Sequence, residues 1–241
     1  MLRPLVQGLH DVARELDGLA YALVGGLAVL THVQGHRVTE DIDNAIRGTR
    51  SEVSTRLGVV AEPKPGVDLE FTTSGGAPVD VLLVSSKPPR TGIGQLREAK
   101  GHALRWAVST AVVRQLDTTP PSDLGPIAVP VAEPSPLIAL KCVSASDHRR
   151  GHKRDTDLLD LWRLLAHDPL RSVDIVAELA NAPQRLQTFV VECLEKLLYD
   201  DAVGFVRDMA SGPGAAIDAE DVRDLWESVL KPELRRRSPD P

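Results

Sequence analysis

Apolar residues at Leu2, Leu5, Leu9, Val12 and Leu16 recur three and four apart, which predicts an opening amphipathic helix with Gly18 beyond its end. The apolar run 21–24 reads as a strand, Gly25-Gly26 turns the chain, and 27–34 predicts a second helix stopped at Gly35. A strand follows over 41–46, and Thr49 or Ser51 is placed to cap a helix ending at Leu57. Two strand-like runs, 68–73 and 79–84, flank Ser74-Gly75-Gly76-Ala77 and predict a hairpin. Ile93, Leu96, Ala103, Leu104, Ala107 and Val108 predict a longer helix. A Pro- and Gly-rich stretch, 118–136, holds a brief strand at 127–131. Ser135 as N-cap and Pro136 at the first helical position open a helix that runs to Ser146. A polar connection over 147–154 leads into a helix over 155–165. Beyond Pro169 two or three more helices are expected, one ending near Leu198 and one over 219–234, with a frayed tail at 235–241.

This order predicts an α/β (α+β) fold: a small mixed sheet flanked by helices, followed by a helical part. The compositional break places the expected division at 1–118 and 119–241. Composition adds little to that and excludes several classes. Apolar residues at 42% and charged residues at 26% are ordinary for a globular chain of 241 residues. A net charge of −6 argues against a basic nucleic-acid coat, and 3 Phe, 2 Tyr and 3 Trp are too few for a base-stacking platform. No apolar stretch approaches the ~18 residues of a membrane span. Cys142 and Cys193 fit neither a zinc motif nor a disulfide framework, and read as buried thiols in a reducing compartment. The expected location is the cytoplasm.

The chemistry concentrates in one run: Gly25-Gly26, then Arg37-Val38-Thr39-Glu40-Asp41-Ile42-Asp43. On a strand, Asp41 and Asp43 project to one face and Ile42 to the other. Two adjacent carboxylates repel, and a hard divalent cation relieves the repulsion. Asp80 precedes the apolar run Val81-Leu82-Leu83-Val84; if that strand lies beside the first, Asp80 completes a three-acid cluster suited to Mg²⁺ (or Mn²⁺) and phosphoryl transfer. A strand–Gly-Gly–helix turn offers backbone N–H groups to phosphate, and Arg37 can add a charge-assisted contact. His148-Arg149-Arg150-Gly151-His152-Lys153-Arg154 is the strongest basic run; it reads either as a solvated loop or as a phosphate or RNA contact, through Arg149, Arg150, Lys153 and Arg154. His32 and His36 read as helix-end polar residues.

Gly25-Gly26, Arg37-x-Thr39-x-Asp41-Ile42-Asp43 and Asp80 together resemble the polymerase-β-type nucleotidyltransferase superfamily. Val129-Pro130-Val131, Pro136-Leu137-Ile138-Ala139-Leu140-Lys141 and Arg154-Asp155-x-Asp157-Leu158-x-Asp160-Leu161 narrow the similarity to its AbiEii/MenT branch of toxin nucleotidyltransferases. The resemblance covers residues 20–165. It implies that 1–118 is the nucleotidyltransferase core and that the helical part completes the active-site cleft. It implies that Asp41, Asp43 and Asp80 bind metal and act in catalysis, with Asp80 helping to deprotonate the acceptor. Lys141 and Asp157 are implied in catalysis, and Gly25, Gly26, Arg37, Thr39 and Asp160 in nucleotide binding. Lys141 is expected at the margin of an apolar helix face, its ammonium extended toward phosphate. Leu27 stands where many members have Ser or Thr, which leaves the phosphate contact there to backbone amides.

The expected activity is transfer of an NMP from an NTP to an acceptor hydroxyl, releasing pyrophosphate. The resemblance favours a tRNA 3′ end as acceptor, a toxin role and a cognate antitoxin. An antibiotic-like small molecule, a protein hydroxyl, or a catalytically silent binding role are the alternatives. No membrane association is expected.

Overall fold

The computed structural model describes residues 3–33, 39, 41–58, 62–64, 67–87, 89, 94–116, 124–147, 153–166, 169–209 and 217–237. The chain forms two compact units, one from Met1–Pro89 and Leu104–Glu133, the other from Arg90–Ala103 and Pro134–Pro241.

The first unit is built on a mixed sheet of seven strands among the described residues, in the order β3-β4-β5-β2-β1-β7-β6. β1 (Tyr21–Val24) pairs antiparallel with β2 (Ile42–Arg47) and parallel with β7 (Ile127–Val131). β2 pairs parallel with β5 (Pro78–Val84), which pairs antiparallel with β4 (Val67–Thr72). β3 (Glu62–Lys64) and β6 (Val112–Leu116) close the two edges. The expected α/β class is borne out.

The central strands read as near-continuous apolar runs because both their faces are covered. Leu23, Val24, Ile42, Ile46, Val79 and Val81 are all at most 1% exposed. Full burial of such a side chain is worth about 1.5–3 kcal/mol. α1 (Arg3–Glu15) packs on β2 and β7, and α2 (Gly25–His32) on β1 and β2. The expected hairpin is present: the Thr73 N–H donates to the Ala77 carbonyl, and Gly76 takes a positive φ of 84°. Thr49 caps α3 (Arg50–Leu57) in a capping box with Glu52. The Thr49 backbone N–H, and then its hydroxyl, donate to Glu52 and hold that carboxyl below its ordinary range.

α4 (Gln95–Ser109) contributes to both units. The second unit continues with α5 (Pro134–Ala145), α6 (Lys153–Ala166), α7 (Pro169–Leu179), α8 (Gln184–Glu195), α9 (Ala202–Met209), α10 (Ala219–Leu225) and α11 (Lys231–Arg237). Two π-helical segments, Lys196–Asp200 and Trp226–Leu230, run on from α8 and α10. Several expected boundaries move. Ser135 is not an N-cap: it lies inside α5, fully buried, and its hydroxyl donates to Glu178 Oε2 at 2.6 Å. Lys153 and Arg154 open α6 rather than ending a polar connection, and Arg235 to Arg237 belong to α11 rather than to a frayed tail. Among the described residues no helix is long and apolar enough to cross a membrane.

Candidate metal and nucleotide site

Sheet register positions the acids. Asp43 of β2 lies opposite Val24 of β1 on one side and Asp80 of β5 on the other. Laterally paired residues share a face, and Asp41, two residues before Asp43, shares it too. One carboxylate oxygen from each of Asp41, Asp43 and Asp80 lies within 4.8 Å of the others. Asp80 is buried at 4% exposure, while Asp41 and Asp43 are half-buried. The three acids expected to converge therefore do so.

Two neighbours shape this cluster. Thr39 is 2% exposed, and its hydroxyl donates to Asp41 Oδ1 at 3.0 Å, so the threonine expected to touch nucleotide here orients a carboxylate. Gly25 has φ +67, and a Cβ on it would fall 1.9 Å from Asp43 Oδ2. Only a glycine leaves room for that carboxylate against the start of α2. Three hard oxygen donors at this spacing fit a divalent cation, which would offset their mutual repulsion.

α2 begins directly at Gly25. Its N-cap, Val24, makes no side-chain capping bond, and its first turn carries no acid. Gly25 and Gly26 thus stand at a helix N-terminus that no side chain of α2's own first turn occupies, beside the Asp43 carboxylate. Leu27 is 0% exposed; the side chain at this position fills the core, and a hydroxyl there would face apolar neighbours. Arg37, Arg149 and Arg150 lie outside the described residues.

The register also shows an acid that the sequence reading passed over. Glu70 of β4 pairs with Asp80, continuing the same row. Counting back from Asp80 through the tight turn at Ser74-Gly75-Gly76 would have found it.

Lys141, Asp157 and Asp160 come together in the second unit. Lys141 Nζ on α5 lies 2.8 Å from Asp157 Oδ1 and 2.5 Å from Asp160 Oδ2, both on α6. The expected extended ammonium is instead enclosed: Lys141 is 6% exposed, Asp157 5% and Asp160 0%. Burial works to lower the lysine's pKa, but Asp157 and Asp160 outweigh it and hold the ammonium charged well above the usual lysine range. Lys153 is exposed on the first turn of α6. Arg154 is engaged, donating to the Ala145 carbonyl at 3.3 Å and ion-pairing with Asp208.

A mixed sheet that aims paired acids and a Gly-Gly turn at one spot is the working part of a nucleotidyltransferase. The family comparison agrees and goes further. The chain belongs to the nucleotidyl transferase AbiEii toxin family, Type IV TA system, whose family model matches residues 9–234. This bears out the resemblance, and the family's description implies an antitoxin partner. The comparison with curated proteins gave no match. Among solved structures the chain is similar to an antigenic nucleotidyltransferase-like protein from Paracoccidioides brasiliensis, at 17% identity, 85% coverage of this chain, 93% of that one and a TM-score of 0.45. It is also similar to JHP933 from Helicobacter pylori, at 13% identity, 96% and 91% coverage and a TM-score of 0.46. With TM-scores below 0.5, neither structure supports a conclusion beyond the family match.

The Gly25 contact yields an expected result. Gly25→Ala should lower stability by more than the ~1–2 kcal/mol that a left-handed backbone costs an L-residue, because Asp43 must also move. It should abolish transfer. Gly76→Ala is the control: φ is +84 but nothing lies within 4 Å of the added Cβ. It should show the backbone cost alone, with transfer intact. Urea midpoints and activity of the two variants, measured side by side, test this; equal effects would refute the steric account.

Proposed function

We propose that this nucleotidyltransferase is metal-dependent and moves an NMP from an NTP to the 3′ end of tRNA in the cytoplasm, as a toxin countered by an antitoxin. The observation that carries the metal dependence is the convergence of the Asp41, Asp43 and Asp80 oxygens within 4.8 Å. Asp41, Asp43 and Asp80 supply the donors, and Thr39 keeps Asp41 turned inward. A divalent cation such as Mg²⁺ or Mn²⁺, when bound there, neutralises phosphate charge and favours departure of pyrophosphate.

Gly25 and Gly26 offer amides at the head of α2 to the triphosphate, and Arg37 adds charge to the same group. Asp80, the most buried of the three acids, accepts the acceptor hydroxyl's proton. Lys141, paired with Asp157 and Asp160, assists catalysis, with Asp160 in nucleotide binding. Arg149, Arg150 and exposed Lys153 favour an RNA acceptor through phosphate contacts; Arg154 contributes less because Asp208 neutralises it.

The test is incubation of the whole protein with each labelled NTP, total tRNA and Mg²⁺. Label at the tRNA 3′ end, lost on chelation, is the expected result. Label on a small molecule or protein, with none on RNA, would replace the acceptor; no label on any acceptor would refute transfer.

A further inference from the structure

Cys142 and Cys193 lie 51 positions apart in the chain, yet the second unit brings them together. Cys142 sits on α5 and Cys193 on α8. Cys193 Sγ donates to the Cys142 carbonyl at 3.6 Å and lies 3.4 Å from Ser146 Oγ. The contact of Cys193 Sγ with the Cys142 backbone sets the two cysteines side by side on packed helices. Cys142 is 0% exposed, whereas Cys193 keeps 8% of its surface open.

Their surroundings make the pair unequal. The hydrogen bond from Cys142 pulls the Cys193 thiol below its ordinary range against burial, with Ser146, Lys196 and Arg154 adding to the effect. Burial, then Cys193 itself, pushes Cys142 well above its ordinary range. A more acidic thiol, on the less deeply buried of the two residues, beside a fully buried neutral one is the arrangement of an attacking and a resolving cysteine.

From the contact of Cys193 Sγ with the Cys142 backbone across facing helices, we infer that Cys193 and Cys142 form an oxidation site that reacts with hydroperoxides to give an intramolecular disulfide joining α5 to α8. The Cys193 thiolate attacks one peroxide oxygen; an S–O bond forms, the O–O bond breaks and hydroxide leaves. The Cys142 thiol then attacks the sulfenic sulfur; the S–S bond forms, the S–O bond breaks, and oxygen departs as water with the Cys142 proton. The sulfurs lose two electrons and the peroxide gains them. The bond would fix α5, and with it Lys141, against α8. None of this depends on the metal-site reading.

The whole reduced protein, treated with hydrogen peroxide, blocked with an alkylating agent under denaturing conditions and weighed intact, tests it. The expected product has lost two hydrogens, carries no alkyl group and gives a peptide linking Cys142 to Cys193 in a non-reducing digest. Its melting temperature should rise and fall back on reduction. In Cys142→Ala the Cys193 sulfenic acid should persist and be trapped by dimedone. Recovery of both thiols alkylated, or dimedone trapping at Cys193 in the wild type to the same extent as in the variant, would overturn the inference. The wild-type mass measurement decides it even if the variant folds poorly.

Discussion

Asp43→Asn should lower nucleotidyl transfer by about a thousandfold, the upper end of the loss expected on removing one preorganised electrostatic group, equivalent to about 4 kcal/mol of transition-state stabilisation. Asparagine keeps the shape of the side chain, so the close fit against Gly25 survives and the fold with it. What disappears is the charge at the centre of the row, between Asp80 on the next strand and Asp41 on its own. Without divalent ions the variant should melt no earlier than the wild type, because a repulsion has been removed. With Mg²⁺ or Mn²⁺ the wild type should gain melting temperature and the variant should gain much less, since a ligand stabilises only the state that binds it. Activity and melting curves with and without the ion check both halves. Wild-type turnover in Mg²⁺, or an equal thermal gain, would remove Asp43 from the site.

Lys141→Met should cost about 3–5 kcal/mol of stability, the penalty for breaking a buried ion pair by deleting one partner. Methionine fills the volume, so the loss is electrostatic: Asp157 and Asp160 remain, 5% and 0% exposed, without the ammonium between them. Adding Asp157→Asn and Asp160→Asn to Lys141→Met should recover a large part of the loss, because neutral amides cost less to bury than carboxylates that have lost their ammonium. The sign of the pH dependence follows. The folded-state pKa of Lys141 is raised, so its stabilisation is complete below the unfolded lysine pKa and is lost as pH rises through the folded value. The wild type should therefore hold this contribution unchanged through neutral pH. Urea unfolding of the single and triple variants decides the matter; a Lys141→Met protein as stable as wild type would mean the two carboxylates do not depend on the lysine.

The core of the site was legible because strand chemistry is periodic. Asp-Ile-Asp alternates by necessity, and the strand carrying Asp80 runs beside β2 in parallel, so one face of the sheet collects all three acids. Gly25-Gly26 was legible because glycine pairs at a strand end mark a turn that other residues cannot make. Lys141 was legible as a residue and not as an environment. Its partners sit on the following helix, and no pattern within α5 shows that its Nζ is enclosed. β6 escaped notice because Val112 and Val113 are exposed at 48% and 66% on an edge strand, leaving no apolar–polar alternation to read. The Cys142–Cys193 contact was invisible for the same reason as the lysine's: it belongs to helix packing, which a linear spacing does not encode.

Synthesis order gives the sheet topology a last consequence. β1, next to the strand that bears Asp43, takes β7 as its other neighbour, with Leu23 beside Val131. Every residue from β2 through α4 must leave the ribosome before that partner exists. Until Ile127–Val131 emerges, β1 presents an unpaired and strongly apolar edge, a surface that invites association with other chains. A parallel pairing across so long a stretch is also a contact of high sequence separation, which slows the step that completes the sheet. The nascent polypeptide thus carries this open edge until β7 emerges, and its acids gain a finished frame only after the last strand docks.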